Sequence, residues 1–360
     1  YGVTGNDAVS IYGTQSNVSN RNYDFGGDVS TSYYKNGLAN SKLTWERTQE
    51  FNIGLDFGFF RNRINGSLDV YQRTSKDLIM ERQLPSTTGW TSVWDNIGKV
   101  RNTGLELSIN TINVQTSDFS WQTNIIFDTN KNEILELYGG KKDDIGNKWF
   151  IGEAINVNYD YEFDGIWQTS EADKAAIYGQ TPGQVKVKDQ NHDNVIDAKD
   201  KVILGQQLPK WTGSITNTFT YKNWDLAFNV YTRQGAQLNS TFVSSFMAYD
   251  GNYNQAKVDY WTETNPTNKY PQPGNKGKYF SSMCYQDVSF VRVGYITLGY
   301  TFPMSLLKPI GIKRLKLYAT ANNPFLFTSF KGFDPEWATQ NTWGEATSTR
   351  TFLFGVKLAF

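Results

Sequence analysis

The chain is poor in the side chains on which most site chemistry depends. Its single cysteine, Cys284, excludes an intramolecular disulfide and a thiolate metal cluster. Its single histidine, His192, excludes a His-pair zinc site and leaves any triad hanging on one residue. Charge of either sign is not in excess, because 35 basic side chains balance 35 acidic ones. A nucleic-acid partner is therefore not expected, since displacing counterions from phosphate needs surplus Lys and Arg. No run of about 18 or more apolar residues is present, so no membrane-spanning helix is expected. The opening Tyr1-Gly2-Val3-Thr4-Gly5 has neither an initiator Met nor a signal peptide, as in a mature chain or a piece of something longer. No Walker loop, dinucleotide fingerprint or Gly-x-Ser-x-Gly elbow occurs, which makes an enzyme the weaker class.

What the chain has is rings. Aromatics make up 15% of it, and charged residues only 19%, against a usual charged share of about 25%. The rings fall into alternation at period two, the mark of strands whose successive side chains face opposite sides. In Phe51-Asn52-Ile53-Gly54-Leu55-Asp56-Phe57-Gly58-Phe59 the odd positions are large and apolar and the even ones small or polar. After the tight turn Phe60-Arg61-Asn62-Arg63, Ile64, Gly66, Leu68 and Val70 continue on one face. A second hairpin centres on Tyr221-Lys222-Asn223-Trp224. Further strands read near 99–113, 119–130, 288–302 and 313–327, with a last one from Thr351 to Phe360, for about nine to eleven in all. Each has the roughly 9–11 residues that a tilted strand needs to cross a bilayer, and several exceed it.

The connections fall into two alternating classes. Short ones lie near 60–63, 114–118, 222–223 and 303–312, and long ones near 80–98, 131–211, 236–285 and 328–348. That layout predicts an all-β, antiparallel transmembrane β-barrel, with tight turns toward the periplasm and long loops outside. Trp45, Phe59, Phe60, Trp121, Tyr221, Trp224, Tyr300 and Phe302 would then form aromatic girdles at the headgroups. A soluble antiparallel sandwich alternates too, but it would bury a Leu/Ile/Val-rich face, whereas these apolar positions are heavily aromatic.

One local motif carries possible metal chemistry. Asp189, Asn191, Asp193, Asp197 and Asp200 stand at positions 1, 3, 5, 9 and 12 of a twelve-residue loop, with the Val195 carbonyl at position 7. This is the spacing with which an EF-hand-like loop wraps oxygens around a structural Ca²⁺. Asn194 replaces the usual glycine at position 6, a tolerable change because Asn accepts a left-handed backbone. Asp200 replaces the bidentate Glu at position 12. No helix pair brackets the loop: Val185 and Val187 read as a strand, and a short upstream helix would be capped at Ser170 with Asp173 three residues on. The rival reading is an Asp/Asn-rich surface turn without an ion. His192, at position 4, reads as a solvated loop residue, and Cys284 as inert. Trp90, Trp94, Trp149, Trp167, Trp211, Trp261, Trp337 and Trp343 sit in the long loops, where they suit a sugar, a peptide or mere packing, so no substrate contacts are assigned.

Several segments together carry a family resemblance. Ser41-Lys42-Leu43-Thr44-Trp45-Glu46-Arg47-Thr48, the runs Asn96 to Leu107 and Asp287 to Pro303, Ala321-Asn322-Asn323-Pro324-Phe325 with Gly332-Phe333-Asp334-Pro335-Glu336, and the ending Arg350 to Phe360 resemble the C-terminal barrel half of SusC/RagA-type TonB-dependent outer-membrane transporters of Bacteroidetes. The calcium-type loop followed by Val202-Ile203-Leu204-Gly205 is similar to one that such proteins carry in a long extracellular loop. The resemblance implies a barrel of about 22 strands in the cell outer membrane. It also implies import of a glycan or peptide substrate powered by TonB with its inner-membrane motor, and a SusD-like lipoprotein lid. A plug domain and TonB box are expected outside this sequence. Terminal Phe360 resembles the signal for outer-membrane assembly. A passive porin is the alternative within the same fold.

Overall fold

The computed structural model describes residues 2–6, 15–249, 255–338 and 347–360. Along the chain, β1 (Gly2–Asn6) precedes a separate hairpin of β2 (Val18–Phe25) and β3 (Asp28–Lys35). Four long strands follow: β4 (Glu46–Phe59), β5 (Ile64–Gln83), β6 (Ser92–Gln115) and β7 (Phe119–Leu137). The next connection holds β8 (Val157–Tyr161), β9 (Phe163–Ile166), α1 (Ala172–Ile177), β10 (Val185–Val187) and β11 (Lys201–Gln206). Then come β12 (Trp211–Tyr221) and β13 (Trp224–Gln234), a loop with β14 (Gln237–Asn239), α2 (Thr241–Phe246) and β15 (Tyr285–Asp287), and β16 (Phe290–Thr301). A short helix α3 (Met304–Leu307) leads to β17 (Arg314–Thr328), and β18 (Thr351–Ala359) ends the sequence of elements.

Ten of these strands make one sheet in the order β1-β4-β5-β6-β7-β12-β13-β16-β17-β18. The pairings from β7 through β12, β13, β16 and β17 to β18 are all antiparallel. The ten strands of this sheet fall within the expected nine to eleven, and the four short turns lie where expected. The long connection expected over 80–98 is shorter, because β5 runs to Gln83 and β6 starts at Ser92. Strand pairing takes in Asp95, Asn96 and Gly98, whose composition alone does not favour a strand.

Two compact units divide the chain. One takes in the sequence up to Gly54, Asp69–Leu105 and Asn130–Ile155. Its small core joins Val100, Ile134 and Leu137 to Leu78, Trp149, Ile151 and Ile155. Its polar side chains pair: Arg73 with Glu50 at 2.8 Å and Arg101 with Glu133 at 2.7 Å.

The other unit comprises Leu55–Leu68, Glu106–Thr129 and Asn156–Phe360. Here the register decides what each face carries. Phe219 stands opposite Leu226, Leu226 opposite Leu298, Leu298 opposite Ala319 and Ala319 opposite Phe354, so apolar groups stack across five strands on one side. Phe219, Leu226 and Ala319 are half-buried in this row, whereas Leu298 is 45% and Phe354 81% exposed, and on the next row Val356 is 63% exposed. Groups this apolar and this open, in an unbroken band, belong against hydrocarbon rather than water. On the opposite side Asn229 donates to the Ser214 and Thr216 hydroxyls at 2.8 Å, Thr297 meets Thr320 at 2.9 Å, and Lys316 pairs with Asp225 at 2.7 Å. Rings gather at the strand ends, with Trp224 and Tyr300 centred 4.7 Å apart and Tyr300 and Phe302 5.1 Å apart.

Candidate functional site

The connection between β7 and β12 and that between β13 and β16 fold on one apolar core. Ile166, Val185, Val187, Val243, Met247, Trp261, Tyr279, Phe280 and Cys284 are buried together. Two tryptophans of the predicted set are structural here. Trp167 is 3% exposed, donates through Nε1 to Gln180 Oε1 at 2.9 Å and stacks on Tyr178 at 5.9 Å. Trp261, also 3% exposed, donates to Gln168 Oε1 at 3.0 Å. Trp149 packs in the first unit's core, whereas Trp94, Trp211 and Trp337 are partly open to solvent. Trp343 lies outside the described residues. Cys284 is buried, and loss of solvent pushes its thiol up to about 12, which fits the inert reading.

The loop 189–200 hangs from this core. Val185 and Val187 insert into it as β10, and Ile196 packs on its edge. The helix preceding the loop begins differently from the expected Ser170 cap. A 3₁₀ turn at Thr169–Glu171 comes first, and Gln168 and Glu171 form its reciprocal cap. Glu reaches back to the cap N–H more readily than the shorter Asp173, and this selects the earlier start.

Within the loop, Asp189 accepts from the His192 N–H at 2.8 Å and the Asn194 N–H at 2.9 Å. Tyr178 Oη also donates to it, at 3.1 Å. Desolvation pushes the Asp189 carboxyl up, but these donors outweigh it and hold the group below the ordinary carboxylate range. Asn191 Oδ1 accepts from the Asp193 N–H at 3.1 Å, and Asp193 Oδ1 from the Val195 N–H at 2.9 Å. Asp197 caps the 3₁₀ turn Ala198–Asp200 through the Lys199 N–H at 2.7 Å. Asp200 is fully buried, and its two oxygens accept from the Gln190 N–H at 2.9 Å and the Asp197 N–H at 2.8 Å. Left-handed backbone falls at His192 (φ 59°) and Asn194 (φ 63°), the latter as expected of position 6. As placed, the carboxylates face loop N–H groups. Among the described residues no three His, Cys, Asp or Glu side chains gather closely enough to hold a metal ion.

A second constellation escaped the sequence reading. Arg292 and Asp334, each 3% exposed, form an ion pair of 2.6 Å. Asp334 also accepts from the Glu336 N–H at 3.0 Å and the Ser348 N–H at 3.1 Å, so one carboxylate ties both ends of the loop after β17. Tyr231 Oη donates to Glu336 at 2.7 Å. The signal was available: Arg292 is the charge between Val291 and Val293, and Asp334 lies in the quoted Gly332–Glu336 motif.

Phe360 follows β18, whose Ala359 is opposite Arg314, and its ring is 75% exposed.

Comparison with known proteins gives a consistent picture. Residues 5–323 match the family model described as TonB dependent receptor-like, beta-barrel. A TonB-dependent receptor of Formosa agariphila is 31% identical over 352 residues, covering 93% of this chain and 36% of that protein. TonB-dependent receptor SusC of Bacteroides thetaiotaomicron is 31% identical over 350 residues, covering 94% of this chain and 34% of SusC. The solved RagAB peptide transporter superposes with a TM-score of 0.77 at 26% identity, over 99% of this chain and 40% of that one. The chain thus spans between a third and two-fifths of the length of the proteins it matches.

Proposed function

The chain belongs to the TonB-dependent receptor-like β-barrel family of the outer membrane, which is not enzymatic, and from that premise we propose that its protein actively imports an oligosaccharide or a peptide. Energy would come from TonB and its inner-membrane motor, and a SusD-like surface lipoprotein would serve as the external partner. The observation that carries this reading is the family match over most of a sheet whose apolar face is open and whose other face is lined by Asn, Thr and charged pairs. The likeness to the RagAB peptide transporter, which extends over 99% of the chain, supports a peptide among these substrates. Uptake of labelled oligosaccharides and peptides by cells carrying or lacking the gene tests it. Loss of uptake on deletion and on collapsing the proton gradient is expected, whereas uptake indifferent to TonB would identify a passive channel. Tagged purification should bring down the lipoprotein.

We infer also that the 189–200 loop takes a structural Ca²⁺. Asp189, Asn191, Asp193, Asp197, Asp200 and the Val195 carbonyl would hold it. Their all-oxygen chemistry suits a hard cation, and Asp193 Oδ1 and the two Asp200 oxygens each accept one N–H bond and keep a second lone pair. Bound calcium would fix the loop against its core. Protease cleavage within 185–205 should slow with calcium and quicken with chelator; identical rates would remove the ion from the account. Phe360, open at the end of β18, would serve assembly, and Phe360→Ala should lower the yield of folded barrel in the membrane.

A further inference from the structure

We propose that the tip of the β4–β5 hairpin binds the phosphate headgroup of a glycerophospholipid in the periplasmic leaflet. Three consecutive non-glycine residues there, Phe60, Arg61 and Asn62, have φ of 54°, 58° and 63°. Side-chain-bearing residues rarely adopt that backbone, and a run of three persists only where the surroundings impose it. Its result is an arrangement of side chains. Phe60 is thrown outward, 76% exposed, at a short turn and hence on the periplasmic rim of the wall. Arg63 is folded back onto β6, with Nε and Nη2 donating to the Ile112 carbonyl at 3.2 and 3.0 Å and Nη2 to the Asn113 carbonyl at 3.0 Å.

Arg63 therefore is held by neutral acceptors, and among the described residues no carboxylate pairs with it. Its full charge stays available at a fixed place. Beside it opens a cleft of about 320 Å³ lined by Phe60, Arg63, Ile64, Thr111, Ile112 and Asn113. The polar wall is braced from behind. Thr111 donates to Asn113 at 2.9 Å, Asn113 to Thr123 at 2.7 Å, Thr123 to Asn217 at 2.8 Å, and Trp121 Nε1 to Asn217 at 2.9 Å. Phe60 and Ile64 supply the apolar wall, and Ile64 starts the face that continues through Leu68 to Val70, which is 45% exposed. A guanidinium and amide at headgroup level, with an aromatic ring at the interface and aliphatic groups above, match a phosphodiester with its acyl chains.

The full transporter, delipidated in detergent, would be titrated with phosphatidylglycerol and separately with inorganic phosphate while bound lipid is counted by native mass spectrometry. Saturable binding of one phosphatidylglycerol is expected, weakened about tenfold or more in Arg63→Gln through loss of the charge-assisted bonds. Phe60→Gly relieves the left-handed backbone, so it should fold readily and still bind lipid more weakly. Resistance to unfolding on unheated gels would show each variant folded. Unchanged lipid binding in Phe60→Gly and in any folded Arg63→Gln would overturn the proposal, as would inorganic phosphate displacing the lipid at equal concentration. Nutrient uptake is a separate readout, so failure here leaves the import reading intact.

Discussion

Arg292 on β16 and Asp334 after β17 are 2.6 Å apart and almost sealed from solvent. Neither side chain alone would survive burial, because an uncompensated charge in a dry site costs far more than a surface ion pair returns. The pair thus fixes Asp334 and, through its carboxylate, the Glu336 and Ser348 N–H groups that it accepts from. The Arg292 Nε, buried without a hydrogen-bond partner and 3.6 Å from Glu336, shows how little room for readjustment the site leaves.

Asp334→Ala should accordingly destabilise this region by about 3–5 kcal/mol, the usual effect of orphaning one member of a buried pair. The double change Arg292→Met with Asp334→Leu should recover most of the loss. Denaturant unfolding of the refolded barrel, with cleavage between 334 and 348 as a local probe, would measure both. Equal behaviour of single and double variants would contradict the coupling.

Acid should release the same loop late. Burial pushes the Asp334 carboxyl up, but Arg292 and the Glu336 and Ser348 N–H donors hold it below its ordinary value. A depressed folded pKa means the stabilisation is complete above the unfolded carboxyl value, about 3.9, and is lost only as pH falls through the lower folded one. Proteolysis or hydrogen exchange of 334–348 across pH 7 to 3 should stay flat until below that range. Opening near pH 6 would show that another group controls the loop.

Tyr318 and Gly355 face each other across β17 and β18. A Cβ at Gly355 would meet the Tyr318 ring, so Gly355→Val should sharply reduce folded barrel, and adding Tyr318→Ala should restore part of it. The folded fraction on unheated gels reports the outcome.

Tryptophans should separate by role. Trp261→Ala, by emptying the loop core, and Trp167→Ala, by opening the buried space beside Tyr178, should each cost about 3–5 kcal/mol, read as faster cleavage of 138–210. Trp337→Ala should leave cleavage unchanged, and a fall in uptake alone would mark it as a ligand contact. A change in cleavage instead would make it a packing residue.

Alternation announced the wall because a strand with one face in lipid writes its period directly into sequence, as Phe352, Phe354, Val356 and Leu358 do. Turns such as Lys222-Asn223 were equally plain. Hidden from that reading were contacts fixed by the tertiary path alone. Nothing local joins Trp261 to Gln168, 93 residues away, or Arg292 to Asp334. The left-handed backbone at Asn194 was legible in the twelve-residue spacing, but spacing does not dictate which N–H or other partner each carboxylate meets. The tip at 60–63 read as a turn, and its three left-handed residues were invisible because Phe and Arg do not advertise that backbone.

β18 pairs with β17 in unbroken register from Thr351 to Ala359 and, among the described residues, with no strand on its other side. In hydrocarbon that leaves a ladder of amide donors and acceptors with nothing to bind, several kcal/mol for each. A neighbouring strand must supply the missing half of the ladder. Handled in isolation, these 360 residues would seek it in one another, and such preparations should stick together edge to edge.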